Sequence, residues 1–439
     1  MNLRTKILIG LLSVAFGTNA QRKITLNEAQ QLAIDNAKIL KVDNAKRDIS
    51  LSKIEQLRAS TKYPTVNLTA AYNRLSNNVD AFKIVIPGGP PEGVTVQPII
   101  LNQFQNRLNI SQLLYGGDRT KNTLKLLQLQ IQSNGMETMK DVEDVKFNIT
   151  QVYYTLYKLN VAKNLIAENI SLIDDNIRDI ENAKNQGIAL ENDVLRLKLQ
   201  KSNIELSRID AENAIESATF NFNLMTGLAL ETAILTDSAS IFQNKSFLSL
   251  NEYISEAQKN RHDLKAITLR KEAALTQIDI TRAGLKPTLS AGATYFLDNP
   301  NQRVFPQQDK FRGTWALGLT AAYSISSLWN VKHQVAENQA NVFLIDGTYE
   351  QASDGIKMEI NQNYSAVKQA KEKIKVAMIT VDQANENYRV TNNRYKEGLV
   401  TLTDLVNANF LVLQSKMSLL NTQTDAELAY HRLMKSVNN

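Results

Sequence analysis

The sequence predicts an internally duplicated membrane protein of mixed α and β class, in which two short β segments each lead into a long helical hairpin. Three observations predict it. All eight prolines lie in two windows, Pro64 to Pro98 and Pro287 to Pro306. Proline breaks helix interiors, so the proline-free stretches after each window can be continuous helix. The surroundings of the two window starts match with a one-residue gap, Leu57-Arg-Ala-Ser-Thr-Lys-Tyr-Pro-Thr-Val against Thr281-Arg-Ala-Gly-Leu-Lys-Pro-Thr-Leu, which marks a duplication. Next to each window lie segments with period-2 alternation of apolar and polar residues.

Residues 1–20 carry Arg4 and Lys6, an apolar run from Ile7 to Phe16 and small residues at Thr18 and Ala20. This reads as a secretory signal peptide rather than a buried helix, with the mature chain expected from Gln21. No stretch approaches the roughly 18 to 20 apolar residues of a transmembrane helix, so entry into a membrane would have to be by strands. The chain has no cysteine, which excludes disulfides, thiolate metal sites and a lipidated N-terminal cysteine. Its net charge of +6 is interleaved along helical stretches without a basic stripe, so no nucleic-acid partner is expected.

The first repeat is assigned to residues 21–228, with a β-hairpin over 63–115 and a helical hairpin over 119–228. In Val66-Asn-Leu68-Thr-Ala70-Ala-Tyr72 one face is apolar, and Arg107-Leu108-Asn-Ile110-Ser is its partner. From Arg119 to Gln186, roughly 100 Å of helix at about 1.5 Å per residue, the residues Ile149, Val152, Leu156, Leu159, Ile166, Ile170, Ile173, Ile177 and Ile180 keep coiled-coil spacing. Gly187 ends that helix. A return helix to about Met225 carries Leu190, Val194, Leu197, Ile204, Ala211, Ile215, Ala218 and Phe222 on its seam. Residues 229–249 are read as an equatorial connector.

The second repeat, 250–439, has a β-hairpin over 287–328 and a helical hairpin over 331–437. Leu289-Ser-Ala291-Gly-Ala293-Thr-Tyr295 and Trp315 to Ser324 alternate as the first strands do. Apolar-out, polar-in alternation is a barrel signature, with a soluble sandwich as the alternative. Trp315 and Trp329 are both placed on the last strand, where about 3.3 Å per residue and a tilt of about 40° separate them by roughly 35 Å, enough for two interfacial girdles. Ordinary surface or core positions are the alternative. The hairpin tips, Asn77 to Pro98 and Asp298 to Arg312, have loop composition. Four strands cannot close a barrel and an open edge cannot face hydrocarbon, so a dimer, trimer or tetramer is required.

At the far ends, Ala183-Lys-Asn-Gln-Gly187-Ile-Ala-Leu-Glu-Asn-Asp193-Val aligns with Arg394-Tyr-Lys-Glu-Gly398-Leu-Val-Thr-Leu-Thr-Asp404-Leu. In both, an aspartate follows the turn glycine by six residues. The segment Asn393 to Ala408, with Arg394, Tyr395, Gly398, Asp404 and Ala408, resembles the TolC-type outer membrane efflux proteins. The Pro64 and Pro287 strand starts and Leu114-Tyr-Gly-Gly-Asp118 agree with it. The resemblance covers the mature chain and implies a homotrimer, a shared 12-stranded transmembrane barrel and a long periplasmic α-helical barrel closed at its tip at rest. It also implies outer membrane location, lipid contact, a periplasmic adaptor and an inner-membrane transporter of the RND, ABC or MFS type, for efflux or type I secretion. The sequence departs from some relatives in having Leu399 and Val400 where a cationic latch would follow the turn. It also ends soon after its last helix, so any equatorial belt is expected from residues 229–260 and the N-terminal helices.

Thr401-Leu-Thr-Asp404 fits a helix capping box. With threefold symmetry Asp404 would also form a carboxylate ring at the periplasmic mouth, with Asn407 one turn deeper, favouring cations. Asp193 is the counterpart of Asp404, and Tyr395 either bonds it or packs between helices. The turns at Gly187 and Gly398 are the expected adaptor-docking sites. His262, His333 and His431 are isolated, and neither a phosphate loop nor a nucleophile elbow is present. No enzyme activity, metal or cofactor is expected. A soluble periplasmic coiled-coil adaptor is the main rival, and a diffusion porin a distant one.

Overall fold

The computed structural model describes residues 22–97, 99–237 and 247–438. The expected signal peptide and part of the 229–249 connector lie outside the described residues. In chain order the elements are β1 (Arg22–Ile24), α1 (Leu26–Asn36), α2 (Lys38–Lys62), β2 (Thr65–Arg74), β3 (Phe82–Ile84), β4 (Val94–Gln97) and β5 (Asn102–Tyr115). Then follow α3 (Arg119–Asn185), α4 (Glu191–Thr226), β6 (Ile234–Thr236), α5 (Leu250–Asn260), α6 (His262–Arg282), β7 (Thr288–Asn299), β8 (Arg312–Ala322), α7 (Ser327–Lys396) and α8 (Leu402–Val437). The two long helices have 67 and 70 residues and the two return helices 36 each.

The chain forms two compact units, each drawing on both repeats. One holds residues 43–137 and 263–352. Its centre is an antiparallel sheet in the order β2-β5-β7-β8. Strict register alternation sorts the side chains by face. One face carries the rows Val66, Ile110, Ala293, Leu317 and Leu68, Leu108, Tyr295, Trp315. The other carries Asn67, Asn109, Thr294 and Ala316, then Thr69, Arg107, Phe296 and Thr314. Leu68, Leu317 and Leu319 are 72 to 75% exposed, an apolar surface far beyond scattered surface leucines.

The strands enter and leave through two corners. Pro64 and Pro287 lie just before β2 and β7, where the preceding helices have ended. The corner from β5 into α3 uses Gly117 and Asp118, with φ of 67° and 70°. A Cβ on Gly117 would stand 2.8 Å from Lys286 Cβ and 2.9 Å from the Ala283 carbonyl oxygen, and Asp118 pairs with Lys286 at 2.8 Å. The corner from β8 into α7 instead runs through Ser324–Ser327, where the amide of Ser327 donates to the Ser324 carbonyl at 3.1 Å.

Two expectations are corrected here. Trp329 is on no strand; α7 begins at Ser327 rather than Val331, because the serine turn ends β8 at Ala322. The separation of Trp315 and Trp329 along one strand therefore does not exist. The loop after Asn77 is not structureless either, since β3 and β4 pair in it as a small antiparallel hairpin.

The second unit holds the described parts of residues 1–42, 138–262 and 353–439. The α3 seam is buried as its spacing predicts, with Ile149, Leu156, Ile166, Ile173 and Ile180 all under 5% exposed. Val194, Leu197, Ile204 and Phe222 meet it from α4. Leu190 does not; it precedes the first turn of α4 and is 71% exposed. Between the helices, β1 pairs in parallel with β6. Tyr153, fully buried, joins both: its hydroxyl lies 3.1 Å from the Ile24 carbonyl and 3.0 Å from that of Asp237, and accepts the Asp237 amide at 2.8 Å. Burial pushes its pKa up to about 12. Asn223 closes the turn after α4 by donating to the carbonyls of Leu230 and Thr232 at 3.0 and 2.9 Å.

Candidate functional site

Two regions bring the expected site residues together: the helical tips and the sheet. At each tip the chain reverses by the same hydrogen-bond pattern. The amide of Gly187 donates to Lys184 and that of Ile188 to Ala183, at 2.8 and 2.9 Å; Gly398 and Leu399 do the same to Tyr395 and Arg394, at 3.0 and 2.9 Å. The glycines have φ of 75° and 73°. This is a Schellman ending, which needs a left-handed residue after the helix and so selects glycine.

Thr401 then caps α8 fully. Its hydroxyl oxygen accepts the Asp404 amide at 3.3 Å, and Asp404 Oδ2 accepts from the Thr401 amide at 2.9 Å and its hydroxyl at 2.7 Å. These donors hold the Asp404 carboxyl below its usual range. Asp404 and Asn407 are both exposed, and their spacing of three puts them on one helix face. In the first repeat Asp193 Oδ2 accepts only the Leu190 amide, at 3.2 Å, because leucine has no hydroxyl to return.

Tyr395 is half-buried, and the phenol-to-Asp193 bond is not formed. The ring packs instead against a cluster of Ile180, Val194, Leu197, Leu402 and Leu405, in which the tips of both hairpins meet. Burial raises its pKa, with smaller contributions from the charges of Asp193 and Asp179. Arg196 donates to Thr403 across the same contact, and Asn169 to Asn409 at 3.1 Å further along.

Sequence reasoning missed the exposure of three residues here. Ile188, Leu190 and Leu399 are 77, 71 and 68% exposed. The residue after a Schellman glycine usually packs back on its helix, so aliphatic side chains left in solvent on both tips stand out. Their signal was readable as apolar residues directly after each turn glycine.

On the sheet, Trp315 is 72% exposed on the apolar face. Toward the hairpin tips, the rings of Tyr72 and Phe104 lie 4.9 Å apart at a tilt of 41°, and Phe104 lies 5.7 Å from Phe311. At the helical end Tyr63, Tyr115 and Tyr323 are exposed where strands and helices meet, as is Trp329 in the first turn of α7. Among the described residues no group of acids and histidines could hold a metal ion, and no helix is long and apolar enough to cross a membrane.

Residues 253–439 match the outer membrane efflux protein family. The chain is 22% identical over 312 residues to the toxin and drug export protein A of Aggregatibacter actinomycetemcomitans, covering 68% of this chain and 66% of that protein, just short of two thirds of its length. Its fold is that of the Campylobacter jejuni CmeC outer membrane channel, with a TM-score of 0.72 at 16% identity over 94% of this chain and 85% of that one. It is equally that of the outer membrane protein VceC from Vibrio cholerae, with a TM-score of 0.71 at 16% identity over 94% and 96%.

Proposed function

We propose that this chain, whose residues 253–439 carry the outer membrane efflux protein domain and whose fold is that of outer membrane channels, is one protomer of a trimeric exit duct. It sits in the outer membrane, extends into the periplasm, and passively conducts substrates handed on by a periplasmic adaptor and an inner-membrane transporter. Its family is one of channels rather than enzymes.

The observation that carries this reading is the four-stranded sheet, with a continuous apolar face, a polar reverse, and β2 and β8 left as unpaired edges. Lipid tolerates no open edge, and three copies joined edge to edge make a barrel of twelve strands. The soluble-adaptor alternative leaves that apolar face without a purpose. Trp315 with Tyr72 and Phe104 would form the outer interfacial girdle, and Trp329 with Tyr63, Tyr115 and Tyr323 the inner one. The exposed Ile188, Leu190 and Leu399 make the turns at Gly187 and Gly398 an apolar landing surface for adaptor helices. Asp404 and Asn407, repeated threefold, would ring the periplasmic mouth, with Asp193 beside it and Tyr395 holding the two hairpins together.

The test is reconstitution of the detergent-extracted protein in planar bilayers. A heat-modifiable trimer with stepwise conductance is expected; recovery as a soluble monomer without conductance would sink the reading. Leu317→Arg should block insertion at a cost of about 2 to 4 kcal/mol near the midplane, while Thr320→Arg on the polar face should insert. Asp404→Asn should weaken cation selectivity without disassembling the trimer, and unchanged selectivity would leave Asp404 with helix capping alone.

A further inference from the structure

We propose that the polar face of the sheet, near its hairpin tips, is an anion-binding belt built on Arg107, Arg303 and Arg312, taking multiply charged phosphate, sulfate or polycarboxylate groups. The inference rests on reading that face as the lumen of a pore.

Arg107 in β5 and Phe296 in β7 are register partners on the polar face. Phe296 is out of pattern between Thr294 and Asp298, yet only 9% exposed. It is covered from the loop between β7 and β8. Asn301, 1% exposed, accepts the Arg303 amide at 2.9 Å and donates to the Arg312 carbonyl and the Thr314 hydroxyl at 2.8 and 3.1 Å. That pinning lays the Arg303 guanidinium 3.4 Å from the Phe296 ring centroid, with the Arg107 guanidinium 5.7 Å from the same centroid.

Cation–π attraction accounts for the burial of the ring, but it cancels no charge. None of the three arginines forms an ion pair among the described residues. Arg312 donates to Gln308 at 3.1 Å and Arg107 to Gln105 at 3.0 Å, both neutral amides. Asp298 stands opposite Arg312 in register, but it is 5% exposed, accepts the Asn106 amide at 3.1 Å and forms no ion pair with Arg312 among the described residues. The Nε of Arg107 is buried with no hydrogen-bond partner. Two guanidiniums held against one ring, with unused donors and a third beside them, suit a ligand that brings several anionic oxygens, since such bonds are charge-assisted and often bidentate. Symmetry would repeat the set around the pore, where rings of arginine favour anions.

Titrating the reconstituted trimer in zwitterionic bilayers with tripolyphosphate tests this. Block of conductance is expected, with the half-blocking concentration rising roughly tenfold in Arg107→Gln/Arg303→Gln. Arg303→Lys should keep most of the block, because it keeps the charge. If the double variant fails to assemble, Arg312→Gln, whose side chain holds only Gln308, should still weaken the block. Equal block in wild type and variants, or no block of a conducting wild type, overturns the belt and leaves the duct standing. A conductance change produced by adding phosphate-rich lipid alone would place the arginines on the lipid side and also overturn it. A protein that never conducts removes both readings.

Discussion

In the first repeat the chain passes from β5 into α3 through Gly117 and Asp118, both at positive φ, and begins α4 behind Leu190, which has no capping side chain. In the second it passes from β8 into α7 through serines with no positive φ, and begins α8 behind Thr401 with a complete capping box. Lengths and topology have been kept between the repeats, and the local chemistry has not. A duplicated architecture thus needs its corners closed, without needing them closed by the same residues. The first repeat relies on left-handed backbone at its corner, the second on a hydroxyl cap at the start of its return helix.

The largest effect should come from removing the conformational device. Gly117→Ala adds a left-handed penalty of about 1 to 2 kcal/mol to an overlap with Lys286 Cβ and the Ala283 carbonyl, both backbone-anchored. We expect a total near 3 kcal/mol or more, read as a lower thermal midpoint of the protein. Ser326→Ala at the matching corner should change it by less than about 0.5 kcal/mol. Similar midpoints for the two variants would abolish the contrast.

The tips differ by a smaller amount. Thr401→Ala should cost about 1 kcal/mol, and Leu190→Thr should recover part of that in the first repeat, about 0.5 kcal/mol. The second substitution also removes an exposed leucine from the proposed landing surface. It should therefore weaken adaptor crosslinking from the Gly187 turn while raising stability, a pairing that helix capping alone would not produce.

The smallest effect concerns acid. Hydrogen bonds from the Thr401 hydroxyl and amide lower the Asp404 pKa in the folded protein. Its contribution is therefore present above the ordinary carboxylate value and is lost as pH falls through the lowered one. Helix melting followed by circular dichroism should show acid destabilisation that shrinks in Thr401→Ala. An identical pH dependence in both proteins would mean that the hydroxyl does not set it.

The helical hairpins were legible almost to the residue, because proline gaps and turn glycines act locally. Arg119 to Gln186 became Arg119–Asn185, and Gly187 and Gly398 sit at the reversals. The capping box at Thr401 was equally local. Trp329 was misplaced because Tyr323 and Ile325 continue the alternation of β8, and no glycine or proline marks the serine turn. The β3–β4 hairpin was obscured by the proline and glycine cluster between its strands, although the Ile84-Val-Ile86 run beside that cluster was its signal. Tyr395 and Arg107 meet residues distant in sequence, and periodicity does not report such contacts. Phe296 interrupts the polar face of β7, but only the structure shows that Arg107 and Arg303 cover it.

The Tyr153 hydroxyl ties β1, at the start of the described chain, to the end of β6, more than 200 residues later. A ribosome makes β1 long before its partner strand exists. Until α3, α4 and Ile234 have all been made, the cluster that buries Ile24, Ala29 and Ala33 is incomplete. The order of synthesis thus leaves this early-made segment waiting, since contacts between distant residues form late. Holding that segment open would be the task of an escort for the unfolded chain, and a nascent chain cut before Ile234 should stay sensitive to protease at its N-terminal end.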